Sequence, residues 1–429
     1  MLKFISLLYF QFSEQYGNVY GLFWGSKPAV VLNGFAVIKE ALVTKAGDFS
    51  GRPQDFMTNH MTENKGVILA DYGPGWKEHR RFALMTLRNF GLGKQSMEER
   101  ILKEISHIVA CLDQNAGGIM TPQTLFHNAA SNVISLVLFG TRFDYKDEFL
   151  KRYVQLSTEI SKIVNGPWNM IYDTFPALRH MPLPFKKGFE VMGEMKNMTL
   201  NLINEHKMTR VPGEPRDFID CYMEELDKRG NDGSSFDKAR LSMFIVDLHF
   251  AGTDTTSNTL LTAFLYLMNH PDVQSLYFNN TYITLTIVII LLCMSLTQIN
   301  VYLSFFQRDV SERLMMFWKG TLIIPNLTSV LNEEGQWKFP HEFNPDNFLN
   351  DQDQFEKPEA FMPFSTGPRV CLGEALARME LFLILVTLLR RFQFVWPEDA
   401  GKPDYTPLFG VTQTPKPYRM HIKLREIAK

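Results

Sequence analysis

The stretch Phe364-Ser365-Thr366-Gly367-Pro368-Arg369-Val370-Cys371-Leu372-Gly373 constrains this chain more than any other segment. Two glycines and a proline make it a tight loop, and from Glu374 onward the residues are strongly helix-forming and heavily apolar. A cysteine placed directly before a helix feels the positive end of the helix dipole, which favours thiolate over thiol. Gly367 and Gly373 let backbone approach something flat, Phe364 can shield the sulfur, and Arg369 can meet an anion. A shielded thiolate beside a guanidinium is the pair a haem requires, as axial ligand and propionate partner. A lone cysteine is more often a plain buried residue. Five fixed positions at this spacing argue against coincidence.

A chain of 429 residues can bury a large core, and its length alone suggests about three domains. A formal charge of −2 argues against a general nucleic-acid role. Cys111, Cys221, Cys293 and Cys371 are scattered, with neither a disulfide framework nor a metal-finger spacing, which favours a reducing environment. The apolar run from Phe4 to Phe12 is too short to span a bilayer and has no cleavage site after it.

Along the chain, Gly21 to Asn33 reads as two strands about a turn at Gly25 to Pro28. Helices are expected near 39–45, from Trp76 to about Leu87, and through roughly 95–115, 122–138, 145–165 and 188–206. Met181 to Gly188 is apolar with two lysines and suits either a membrane-touching element or a plain connector. A long helix opens near Ser235 and stops at His270 before Pro271. At about 1.5 Å per residue it spans roughly 50 Å, enough to cross a domain.

Inside that helix lies Phe250-Ala251-Gly252-Thr253-Asp254-Thr255-Thr256. Glycine in a helix interior costs about 1 kcal/mol relative to alanine, so a compensating role is expected. Small residues here open a groove fit for a diatomic ligand, with an acid and a hydroxyl at hand for proton delivery. A threonine-rich packing face gives the same letters. Trp76 and Arg80 stand at i and i+4, an indole N–H beside a guanidinium, which together can hold a carboxylate. Gly91-Leu-Gly93-Lys lacks the third glycine and does not follow a strand, so it marks no nucleotide site.

Taken together, these stretches resemble the cytochromes P450, in particular the vertebrate-type microsomal family 2, over about 12–274 and 320–426. Phe343-Asn-Pro-Asp-Asn-Phe348, Gly93 to Arg100, Asp217 to Cys221 and Ile324 to Leu331 support the likeness. The resemblance implies a mainly α fold, a single helical domain over 1–429 with small β-sheets, built around haem b. It implies Cys371 as iron ligand, with Phe364, Gly367, Arg369, Gly373, Ala251 and Gly252 bordering the haem. Arg52, Trp76, Arg80 and Arg369 would hold propionates, and Asp254 and Thr255 would be catalytic. Phe250, Ala251, Leu408 and Val411 would line the substrate pocket. The implied activity is monooxygenation of xenobiotics, fatty acids or steroids. Electrons would come from NADPH–cytochrome P450 reductase, sometimes with cytochrome b5, at the cytoplasmic face of the endoplasmic reticulum membrane.

Two departures from that pattern stand out. The family's N-terminal anchor and proline-rich hinge do not precede the first strand. Residues 275–319 lack the Glu-x-x-Arg helix, and Glu312-Arg313 has the wrong spacing. No charged residue occurs from Val273 to Gln307, so this stretch reads as unrelated sequence set between matching flanks. Two rival readings follow: an inactive or haem-deficient relic or mis-spliced product, or a membrane-spanning protein centred on 282–306.

Overall fold

The computed structural model describes residues 11–90, 95–230, 235–279, 304–305, 320–352, 354–409 and 411–425. Eleven helices carry the description: α1 Met57–Thr62, α2 Pro74–Asn89, α3 Gln95–Gln114, α4 Gln123–Leu138, α5 Glu148–Val164, α6 Pro167–Thr174, α7 Lys186–Thr209, α8 Phe218–Arg229, α9 Lys238–Asn269, α10 Pro271–Asn279 and α11 Glu374–Arg391. The strands are β1 Val19–Trp24, β2 Lys27–Leu32, β3 Ile119–Met120, β4 Ser304–Phe305, β5 Leu322–Pro325, β6 Phe392–Val395, β7 Leu408–Phe409, β8 Gln413–Thr414 and β9 Met420–Leu424. They form sheets in the orders β1-β2-β5-β4, β3-β9-β6 and β7-β8. The mainly helical expectation holds.

The β1–β2 hairpin forms where expected, turning at Gly25 with φ 62°. That glycine is required twice over, since a Cβ there would lie 2.5 Å from Thr174 Oγ1. The hairpin turn therefore tucks against the end of α6. In the parallel pairing of β2 with β5, Val30 faces Ile323 across a largely apolar sheet.

Helix starts follow local chemistry. Pro74 and Pro167 occupy the first turn of α2 and α6, where a missing N–H costs nothing. Asp147 accepts from Phe149 N at 2.8 Å, which starts α5 three residues later than the apolar periodicity suggests. Asp237, not Ser235, caps α9, accepting from Arg240 N at 2.7 Å. The helix expected over 39–45 is instead a turn of α-helix at Phe35–Lys39 running into a π turn at Glu40–Thr44.

Helix α9 is buried on nearly every side, as a helix apolar all round should be. It packs along α4, where Phe126 and Phe264 stack at 5.1 Å between ring centroids. Gly252 makes this approach possible, because a Cβ there would sit 2.9 Å from Ile134 Cγ1 of α4. His249 adds a polar lock on the same seam: its Nε2 lies 3.3 Å from Ser131 Oγ and 3.2 Å from Ser135 Oγ. Burial pushes this imidazole down to about 3, so it is neutral there.

At the far end of α9, one side chain ties three elements together. Gln274 of α10 donates from Nε2 to Leu267 O at 3.0 Å and to Phe394 O at 2.9 Å. Its Oε1 accepts from Phe394 N at 2.9 Å. Gln274→Leu strands both main-chain groups of Phe394 in a dry interior. A loss of about 2–4 kcal/mol in urea unfolding is expected, whereas a change under about 0.5 kcal/mol would show that this stitch is redundant.

Candidate active site

The loop after Phe364 is held by its own backbone. Cys371 N donates to Phe364 O at 3.0 Å, Val370 N to Gly367 O at 3.1 Å, and Ser365, with φ 63°, donates to Met362 O at 3.0 Å. Gly367, at φ 75°, clears the Leu42 carbonyl oxygen, which a Cβ would approach to 1.9 Å. Its role is thus to admit the chain's own backbone, not a flat ligand. Gly373 differs: nothing lies within 4 Å of a Cβ placed there.

Cys371 borders a cavity of about 150 Å³ whose lining includes Phe364, Arg369, Gly373, Arg52, Trp76, Arg80, Ala251, Gly252 and Thr255. Sequence residues some 300 positions apart are thereby brought to one space. The sulfur is accessible from this cavity yet encircled by protein. Burial raises its thiol pKa, outweighing the lowering by the N–H groups of Gly373 and Glu374. The N–H groups at the helix start thus favour the thiolate while burial opposes them, and a coordinated metal ion would deprotonate the sulfur outright.

Three guanidiniums surround the same cavity. Arg369 donates from Nε to Ser50 O at 3.0 Å and from Nη2 to Ala70 O at 2.9 Å, and lies 3.9 Å over the Trp76 ring. Its Nη1 is buried with no hydrogen-bond partner. Burial, then the Arg52 and Arg80 charges, push Arg369 down to about 8. Arginine does not readily give up its proton, so the arrangement calls for an anion. Arg52 is buried with Nε on Ile68 O at 3.1 Å, and Arg80 donates to Val370 O. Trp76 departs from its expected role: its Nε1 is spent on Val67 O at 2.9 Å, so it supplies a ring for Arg369 instead of a donor. A thiol, an orphaned guanidinium nitrogen and a groove beneath a glycine-bearing helix fit a haem with two carboxylates.

On α9, Asp247, Ala251 and Thr255 recur at i+4 and share the face turned to this cavity. Thr255 Oγ1 donates to Ala251 O at 2.7 Å. Asp254 stands about 100° round the helix, outside the linings of both this cavity and the one above it. Its carboxyl accepts from Thr412 Oγ1, which in turn accepts from Asn258 Nδ2 at 2.7 Å. Burial raises the Asp254 pKa. The hydroxyl that borders the cavity is therefore that of Thr255, while the Asp254 carboxyl is turned to Thr412.

A second cavity of about 280 Å³ adjoins the first, sharing Arg52, Ile68, Asp247, Ala251 and Thr255. Met61, Met192, Met195, Met243 and Phe250 make it mostly apolar and deformable. Val411 lines it as expected. Leu408 does not, standing 48 % exposed in the β7–β8 hairpin.

Sequence reading missed Asp247, although an acid one helical turn before Ala251 in an apolar run was a visible signal. Its Oδ2 accepts from Val67 N at 2.7 Å and Ile68 N at 3.0 Å, and Gly66 is the close approach that permits this. Glu380 of α11, buried with Oε1 unpartnered, also borders the thiol cavity and was not anticipated. Burial holds the Asp247 pKa up at about 7 against an ordinary 3.8. Folded Asp247 thus binds its proton more tightly than unfolded chain. Its contribution is full below about pH 4 and is lost as pH rises through 7. The stability gap between wild type and Asp247→Asn should shift by a few kcal/mol over that window, and a pH-independent gap in melting curves would refute it.

Helical layers around a cavity bordered by a cysteine and ringed by guanidiniums fit the class of haem-thiolate proteins. A family model described as Cytochrome P450 matches residues 3–279 and 305–422, and the chain belongs to that family. It is 38 % identical to Cytochrome P450 2D3 of Rattus norvegicus over 96 % of this chain and 87 % of that protein. It is 36 % identical to Cytochrome P450 2U1 of Homo sapiens over 96 % of this chain and 79 % of that one. Against Vitamin D(3) 25-hydroxylase of Sus scrofa the figures are 38 %, 96 % and 87 %. The protein is a monooxygenase with a haem cofactor, acting on lipophilic substrates with dioxygen and redox partners. Neither rival reading is favoured by these likenesses. The family match resumes at 305, so the unmatched stretch is narrower than 275–319. Of the span centred on 282–306 only Ser304–Phe305 is described, as strand β4, and Glu312-Arg313 lies outside the described residues. Among the described residues, no helix is long and apolar enough to cross a membrane.

Proposed function

We propose that this chain, as one domain over 1–429, holds haem b with Cys371 as iron ligand and Arg52, Arg80 and Arg369 on its propionates. The observation that carries this is the orphaned Nη1 of Arg369 sharing a cavity with the Cys371 sulfur. When bound, the haem supplies the dioxygen activation that side chains cannot. The chain's own part is to bind, shield and deliver protons. Phe364, itself buried, screens the sulfur from water, and Arg378 lies 5.0 Å over its ring. Gly367 and Gly373 shape the loop, while Ala251 and Gly252 keep the α9 face low. Thr255 holds a hydroxyl over the cavity, and Asp254, through its bond with Thr412, fixes the neighbouring β8 segment against α9. Phe250, Ala251 and Val411 bound the space for substrate.

Electrons would come from NADPH–cytochrome P450 reductase, with cytochrome b5 as an auxiliary donor. Supporting this, Lys77, Arg81 and Arg88 are exposed along α2 beside Arg80, Trp76 and Pro368 of the cysteine loop. A basic groove next to the sulfur loop suits an acidic partner. Attachment to the cytoplasmic face of the endoplasmic reticulum membrane fits the microsomal relatives.

The test is the absorption spectrum of reduced, carbon monoxide-treated protein. A thiolate-type Soret band is expected for the wild type and its loss for Cys371→Ala; a band unchanged in that variant would end the reading. Arg369→Gln should release haem at least about tenfold faster, from loss of a charge-assisted bond. Thr255→Val keeps shape without the hydroxyl, so product formed per NADPH should fall roughly tenfold or more with the spectrum intact.

A further inference from the structure

The upper cavity has an end that the thiol cavity does not share, and that end is polar. Asn59 of α1 is 1 % exposed and borders the upper cavity. Its Oδ1 accepts from Phe56 N at 3.3 Å, while its buried Nδ2 has no partner among the described residues. Asn169 of α6 borders the same cavity. Its Nδ2 donates to Asp173 Oδ2 at 3.0 Å, and its Oδ1 is buried and unpartnered. Each bond already made fixes which way its amide points, so one free donor and one free acceptor remain. Asp173 Oδ1 accepts from Met57 N at 2.7 Å, tying α6 to the start of α1. The two amides are thus held by one brace.

Neither asparagine borders the cavity of Cys371, whereas Ala251 and Thr255 border both. The polar pair therefore lies outside the part of the upper cavity that the sulfur's cavity shares. A hydroxyl is both donor and acceptor, so it meets either free amide group without a mismatch. A carboxylate only accepts, which leaves the Asn169 oxygen unmatched beside the Asp173 carboxyl. An ammonium only donates and leaves the Asn59 N–H unmatched. An alkane end strands both groups, and a polar site rejects such a ligand strongly.

We propose that Asn59 and Asn169 form a hydroxyl-recognition subsite, so that this monooxygenase takes apolar molecules bearing one hydroxyl and turns their opposite end toward Thr255 and Cys371. The proposal rests on the haem-monooxygenase reading and names its substrate class.

Calorimetric titration of the haem-loaded full chain with decanol, decanoic acid and decane tests it. Decanol is expected to bind about tenfold or more tightly than either of the others. Asn59→Asp keeps the acceptor for Phe56 N but removes the free donor, and Asn169→Leu removes the acceptor. Each should erase the preference for decanol while leaving decane affinity equal or higher. Decanoic acid or decane binding as well as decanol to the wild type would overturn the subsite, whatever the variants do. So would an unchanged order in both variants. Calorimetry reads this order whether or not the carbon monoxide spectrum is of thiolate type, so failure of the subsite and failure of the haem reading are separate results.

Discussion

Buried like charges govern this structure. Arg52, Arg80 and Arg369 converge on one cavity, and the burial of Arg369 beside the other two is unfavourable unless an anion joins them. The backbone carbonyls of Ser50, Ala70, Ile68 and Val370 hold the three guanidiniums in place. The three guanidiniums thus leave the cavity with a positive lining that an anionic group would offset. Cys371 faces the same space, so one constraint accounts for both the sulfur and the charges.

Helix α9 transmits that constraint to the rest of the molecule. Its seam with α4 is set by Gly252 meeting Ile134 and by His249 between two serines. Fixing this seam fixes the rotation of α9. Asp247, Ala251 and Thr255 then face the cavities, and Asp254 faces Thr412. Asp247 in turn holds the segment at Val67 and Ile68, which carries the carbonyl groups that bind Trp76 and Arg52. Thus the helix over the site and the arginines beside it are mechanically one unit.

Much of the site was legible in the chain. Phe364, Arg369, Cys371 and Gly373 of the loop, Ala251, Gly252 and Thr255 of α9, and Arg52, Trp76 and Arg80 all border one cavity. What misled were details of direction. Trp76 turns its N–H to Val67, Gly367 makes room for Leu42, Leu408 faces solvent, and Asp254 looks away from the cavity. Each depends on which neighbour arrives, and a spacing of residues says which face is shared without saying what stands opposite it. Asp247 was readable by i+4 arithmetic, whereas the orphaned Glu380 and the paired asparagines were not.

The sequence by itself determined the helices, their caps, the hairpin at Gly25 and the chemistry of the cysteine loop, because these rest on local propensity and short-range hydrogen bonds. Only the tertiary structure decided that burial raises the Cys371 thiol pKa, that three arginines share one space, and that the pocket above has a polar far end. Those properties come from desolvation and from contacts between residues hundreds of positions apart, and no local pattern encodes either.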